Sequence, residues 1–137
     1  MNARLRALTA PAAVAAGAVA VLGAVSVANP TVPGGVLPVC PTKLLFGFDC
    51  PGCGTLRMLY SVAHLDFGAA VRYNALALVI LGLLTVSYFA WTYGRVQNVR
   101  VRQWFELRGA PGLLIAAIAI WAVIRNLPFA PFTGLYV

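Results

Sequence analysis

Cys40, Cys50 and Cys53 are the three cysteines of the chain, and they lie close together in a single stretch of its 137 residues. Cys40 and Cys50 each directly precede a proline, and Cys50-Pro-Gly-Cys53 is a C-x-x-C pair. Thiols so grouped can close a disulfide, exchange one with a partner, or bind a soft metal ion as thiolates. Pro51 biases Cys50 away from helical angles, while Gly52 and Gly54 permit a tight turn. A helix is therefore expected to start near Cys53.

Each chemistry makes its own demand. One disulfide would close a loop of about ten residues and steady it by about 2 to 3 kcal/mol, leaving a third thiol over. Thiol–disulfide exchange would use Cys50 and Cys53 near a helix N-terminus, where partial positive charge favours thiolate, with Cys40 as a shuttle or resolving thiol. In that respect the pattern looks like the membrane thiol oxidoreductases that pass electrons to quinone, which generally carry four spans and a further cysteine pair. A metal site could draw on Cys40, Cys50 and Cys53, and adding His64 would complete a common zinc set. A continuous helix from Cys53 to His64, however, separates the two by about 16 Å along its axis. Three thiolates completed by water or a partner's donor remain, and His64 is expected to be an interfacial hydrogen-bonding residue.

From Thr55 to Leu65, apolar residues recur at helical spacing, and Arg57, Ser61 and His64 form a polar stripe in line with Cys53. The charge of Arg57 must be met by Asp49, a backbone carbonyl, Tyr60 or lipid phosphate. Asp66 can cap a second short turn, Phe67 to Tyr73, that leads onward. The run Cys40-Pro41, then Cys50-Pro51-Gly52-Cys53-Gly54 and Arg57, followed by His64, Asp66, Ala70, Arg72 and Asn74, resembles a bacterial membrane-protein family catalogued as domain of unknown function 2752. Leu65 stands where that family usually has Gly, and Ala75 where Pro commonly follows the Asn. The resemblance implies a small multi-span membrane protein and brings no activity with it.

The elements that must hold this segment follow from charge and hydropathy. Hydrophobic residues make up 61% of the chain, against ten basic and three acidic ones. A soluble domain needs more polar surface than that, and disordered chains are poorer in apolar residues. Charge-free stretches mark three expected membrane helices, at residues 8–28, 74–93 and 110–125. The charge-free run Ala7 to Ala28 that holds the first would rise about 33 Å and the third only about 24 Å, against a bilayer core of roughly 30 Å. Arg108 and Arg125 at the ends of the third are expected to snorkel to the headgroups. Pro11 is placed in the first turn of span one and Pro111 in the first turn of span three, where a missing N–H is harmless. Ala12, Ala16, Ala20 and Ala24 form a small-residue ridge suited to close helix contact. The competing reading of residues 1–28 is a cleaved signal peptide ending at Ser26-Val27-Ala28, but the apolar run is too long for one. A lipoprotein signal at Leu37-Pro38-Val39-Cys40 fits less well, with Pro and Val where small residues belong.

Arg4, Arg6, Arg95, Arg100, Arg102 and Arg108 place the N-terminus and the connection between spans two and three on the cytoplasmic side. The segment 29–73 and the C-terminal tail then face outward. Membrane topology accounts for the basic excess, so no nucleic-acid partner is expected. A single His, no Ser-His-Asp set and no clustered carboxylates exclude common hydrolase chemistry. The expected architecture is one all-α membrane domain over residues 1–137, with no cofactor. The expected role is a structural or partner-binding subunit, with a protein partner or a second copy in the bilayer, whose outer loop is stabilised by its cysteines. Arg57, His64, Asp66, Arg72 and Asn74 are its structural or interfacial residues. Two alternatives stay open: a thiol–disulfide oxidoreductase using Cys50 and Cys53 with Cys40, and a metal-binding protein using the three thiolates.

Overall fold

The computed structural model describes residues 3–32 and 40–129. Leu37-Pro38-Val39 and the C-terminal tail lie outside them. Every regular element among the described residues is a helix: α1 (Ala3–Ala28), α2 (Pro41–Phe46), α3 (Thr55–Ala63), α4 (Phe67–Gln97), a short 3₁₀ turn (Trp104–Glu106) and α5 (Ala110–Arg125). Two of them, α1 and α4, are long and apolar enough to cross a membrane. The third expected span, α5, has 16 residues and rises only about 24 Å, short of that length.

Helix α1 begins earlier than the charges suggested, so Pro11 lies inside the helix and not in its first turn. An interior proline deprives the carbonyl four residues back of its donor. That carbonyl, on Ala7, accepts from Arg95 Nε at 3.1 Å instead. The Pro11 carbonyl in turn accepts from the Tyr88 hydroxyl at 3.1 Å. Both donors belong to α4, so the fully buried Pro11 marks where the two helices meet. The contact also decides which face of α1 is covered. Ala12, Ala16, Ala20 and Ala24 are all exposed, and a Cβ added at Gly17 or Gly23 would meet nothing. The expected small-residue ridge is thus not the packing face; Pro11 and Val25 are.

Helix α4 starts as the sequence suggested, with the Asp66 carboxylate accepting from Ala69 N at 2.9 Å. It then breaks at Asn74, whose backbone is extended (φ −164°, ψ 90°), and resumes. Asn74 Oδ1 accepts from Ala77 N at 3.0 Å, capping the second, longer half. Ahead of this, Leu65 adopts a left-handed conformation (φ 61°). A side chain is strained there, which is the physical reason that glycine suits this turn.

At the far end of α4, Asn98 reverses the chain and Val99 N donates to the Gly94 carbonyl at 2.9 Å. The reversal needs Gly94, because a Cβ there would lie 2.8 Å from the Val99 carbonyl oxygen. The following segment runs back along α4 before Pro111, in the first turn of α5 as expected, opens the last helix.

Candidate thiol centre

The helices place three polar side chains around the Cys50–Cys53 turn. Asn74, fully buried at the kink, donates through Nδ2 to the carbonyls of Pro51 (2.9 Å) and Cys53 (3.1 Å). Arg125, at the end of α5, donates through Nη1 to the same Cys53 carbonyl at 2.6 Å. Asn126 holds Asp49 by both backbone groups, accepting from its N–H at 2.9 Å and donating to its carbonyl at 2.8 Å. Lys43 of α2 pairs with the Asp49 carboxylate at 3.1 Å. Within the turn, Cys53 N donates to the Cys50 carbonyl at 3.0 Å, and Gly54 takes the left-handed angle (φ 78°) that launches α3. The loop is therefore fixed by hydrogen bonds from α4 and α5 to its backbone.

The three sulfurs converge inside this frame. Cys50 Sγ is 3.1 Å from Cys53 Sγ and 3.4 Å from Cys40 Sγ, and all three lie within 4.8 Å of one another. All three are free thiols, since a disulfide would hold two sulfurs at about 2.05 Å. The expectation of a loop stabilised by a disulfide is corrected accordingly. Stabilisation comes from Asn74, Arg125 and Asn126.

The thiols differ in acidity. Hydrogen bonds from the Cys53 and Cys50 thiols and from the Lys43 backbone N–H bring Cys40 down to about 6 from 9.0. Burial, followed by the neighbouring Cys50 and Cys40 thiols, pushes Cys53 up to about 12. A thiolate at Cys40 therefore sits beside a buried, protonated Cys53 at neutral pH.

The other singled-out residues divide between bracing and surface. Arg57 Nε donates to the Pro30 carbonyl at 2.9 Å, one of the partners expected for it, and so ties α3 to the end of α1. His64 is exposed; its ring stacks on Tyr60 at 4.1 Å and its Nδ1 lies 2.8 Å from the Tyr60 carbonyl. It takes no part in the thiol group. Asp66 caps α4, Arg72 is exposed, and Ser61 of the expected polar stripe is buried. The stripe therefore does not present one polar face.

Arg125 is the largest departure. It was expected to reach for lipid headgroups, yet it is wholly buried beneath the cysteine turn, with Trp121 5.8 Å from its guanidinium. Its Nε and Nη2 have no hydrogen-bond partner, and it forms no ion pair among the described residues. The only sequence signal for Arg125 and Asn126 is that two polar residues end an apolar helix, which reads equally well as a membrane boundary.

Residues 40–88 match the model of a family described as a protein of unknown function (DUF2752). The match runs from the first cysteine of the centre through the Asn74 kink into α4, and it agrees with the resemblance drawn from the motif. No curated protein and no solved structure matches the chain. Arg125 and Asn126, which complete the frame around the thiols, lie beyond the matched segment.

Proposed function

We propose that the chain is a membrane subunit whose outer loop holds a soft metal cation on the thiolates of Cys40, Cys50 and Cys53, leaving one coordination position for water or a donor from a partner. The observation that carries this reading is the convergence of all three sulfurs within 4.8 Å in a loop already braced by other side chains. A bracing role for the cysteines would not need the third sulfur. Sulfurs around a tetrahedral ion with bonds of about 2.3 Å stand a little under 4 Å apart, so the 3.1 and 3.4 Å separations here need to open by only about half an ångström to take one. The unpaired, buried Arg125 cation held on the Cys53 carbonyl supports it too, because three thiolates on a divalent ion carry the negative charge that a buried guanidinium lacks here.

The membrane placement rests on the apolar faces of the helices. Val14, Val19 and Val21 of α1, Val79, Leu84, Val86 and Phe89 of α4, and Leu113, Ile115, Ile120 and Val123 of α5 are all exposed. An aqueous protein would hide such side chains. We read α5 as a third crossing. Its end meets the cysteine turn, while its start follows a segment that has climbed back along α4 as far as Ser87. Seven residues of α4, Gly94 back to Ser87, amount to about 10 Å of rise, so a helix of about 24 Å closes the distance that α4 covers alone. The arginines at 95–108 then face the cytoplasm and the thiols face out.

Thiol–disulfide exchange is the second reading, favoured by the acidic Cys40 and by the position of Cys50 within 3.4 Å of both other sulfurs. In that step the Cys40 thiolate attacks Cys50 of a Cys50–Cys53 disulfide, forming Cys40–Cys50 and releasing Cys53, which takes up a proton. The Cys50–Cys53 disulfide would be supplied by exchange with a disulfide-bearing outer protein. One experiment separates the two readings. The full chain is purified anaerobically from membranes and its thiols are counted by alkylation after chelator, after reductant, and untreated, alongside elemental analysis. The metal reading expects about one thiophilic ion per chain and thiols released only by chelator. Release by reductant alone would replace it with the exchange reading.

A further inference from the structure

At the opposite end of the molecule from the thiols, the chain builds a second hollow. The segment after Asn98 lies against α4, and between them runs a groove of about 330 Å³ lined by Val86, Ser87, Ala90, Arg102, Trp104 and Leu107, with Gln103 beside them. Its walls are mainly apolar. The Trp104 indole N–H and the Ser87 hydroxyl are shut from solvent, and neither has a hydrogen-bond partner. Leaving a buried donor unmatched costs about 1 to 3 kcal/mol, so two of them in one groove call for an acceptor that the chain does not supply.

The charge at the mouth of the groove names that acceptor. Arg102 lines both this groove and an adjoining open hollow, which it shares with Arg100 and Glu106. Glu106 is taken up by Arg100 at 3.4 Å. Arg102 makes no ion pair among the described residues. An apolar trough that ends in an unpaired guanidinium and two unmatched donors fits an amphiphile with an anionic head. We propose that the groove binds one anionic phospholipid, its phosphate on Arg102 with the Trp104 N–H and Ser87 hydroxyl turned towards its polar oxygens, and an acyl chain along Val86, Ala90 and Leu107.

The position in the bilayer agrees. Ser87 lies eight residues before Arg95, about 12 Å deeper along the helix axis, so the groove leads from the headgroup layer down into the hydrocarbon. Arg102 is exposed at the mouth of the groove, on the segment that turns back along α4. An exposed guanidinium at the headgroup layer attracts the phosphate of an anionic lipid.

The inference rests on the membrane reading of α1 and α4, but not on the thiol centre. Its test is native mass spectrometry of the full chain released from detergent, titrated with phosphatidylglycerol, with phosphatidylcholine, and with phosphatidylglycerol in the presence of inorganic phosphate. The expected result is one phosphatidylglycerol retained about tenfold more tightly than phosphatidylcholine, a difference typical of one charge-assisted contact. Arg102→Gln should abolish that preference. Trp104→Phe, which keeps the ring and loses the N–H, should weaken retention several-fold, and Ser87→Ala gives the same comparison should the tryptophan variant fold poorly. Arg108→Gln, outside the groove, should leave it unchanged. Equal retention of the two lipids, or an Arg102→Gln variant that still discriminates, would overturn the proposal. Displacement of the lipid by inorganic phosphate would overturn it as well, showing a phosphate site with no use for acyl chains. Failure of the chain to sediment with membranes would defeat the membrane reading instead, and that is measured separately.

Discussion

The two ends of the molecule hold their loops by different means. At the thiol end, a buried amide, a half-buried amide and a buried guanidinium reach backbone carbonyls across 21 to 77 residues of sequence. At the other end, the segment between α4 and α5 is held by a reversal at Gly94 and Asn98, and by an exposed pair, Arg100 with Glu106. Hydrogen bonds to buried backbone are hard to replace with water, whereas an exposed ion pair gives its groups back to solvent at little cost. The first loop is therefore a fixed frame and the second an adaptable one. A frame suits atoms that must keep fixed distances from one another.

The sharpest way to break this contrast is at Asn74. Asn74→Ala removes the donor to Pro51 and Cys53 and the cap on Ala77, and is expected to cost about 3 kcal/mol. Arg100→Gln at the other end should stay within about 0.5 kcal/mol. Thermal melts of both variants in one detergent check the pair of values, and equal losses would erase the distinction.

A second measurement probes the frame from within. Alkylation of each thiol against pH, in metal-free protein, should find Cys40 reacting with a midpoint near about 6 and Cys53 protected until about 12. For folding the signs are opposite. Cys40, with its lowered value, contributes stability that is present above pH 9 and lost as pH falls towards 6. Cys53, with its raised value, contributes stability that is present below pH 9 and lost as pH climbs towards 12. Asn74→Ala should bring both midpoints closer to that of an ordinary thiol, because the frame sets the distances that separate them.

A smaller effect is expected where α1 meets α4. Arg95→Gln removes the donor to Ala7, a loss of about 1 kcal/mol in the wild type. In a Pro11→Ala background the loss should be smaller, since the new N–H at position 11 can serve that carbonyl. A double-mutant cycle with no coupling would show that the proline and the arginine act independently. The smallest effect belongs to Leu65→Gly, which relieves the left-handed strain and gives back some of that gain as chain entropy. A net gain of up to about 1 kcal/mol in the same melts is expected.

What was legible in the sequence was local. The apolar runs of α1 and α4, the Asp66 cap, the tight turn at Cys50–Cys53 and the separation of His64 from the thiols all follow from spacing along one stretch of chain. The two departures from the resemblance, Leu65 and Ala75, fall at a left-handed turn and beside the break in α4. The roles of Pro11 and Arg125 were not legible, because each depends on a partner 72 to 88 residues away. A proline near the start of an apolar run reads as a helix start, and an arginine at its end reads as a boundary. Only the fold shows that one is a joint and the other an underpinning.

The joint at Pro11 has a mechanical consequence. Tyr88 and Arg95 grip two carbonyls one turn apart on α1, and the proline ensures that one of them has no bond of its own to return to. Sliding α1 past α4 by a single turn, about 5.4 Å, in the direction that carries Arg95 to Pro11 would trade the carbonyl left open by the proline for one already bonded within the helix. Piston-like motion between the two rods is thus opposed by these bonds. A displacement imposed at the basic end is then carried to the end that holds the sulfurs more readily as a tilt of the pair than as a slide.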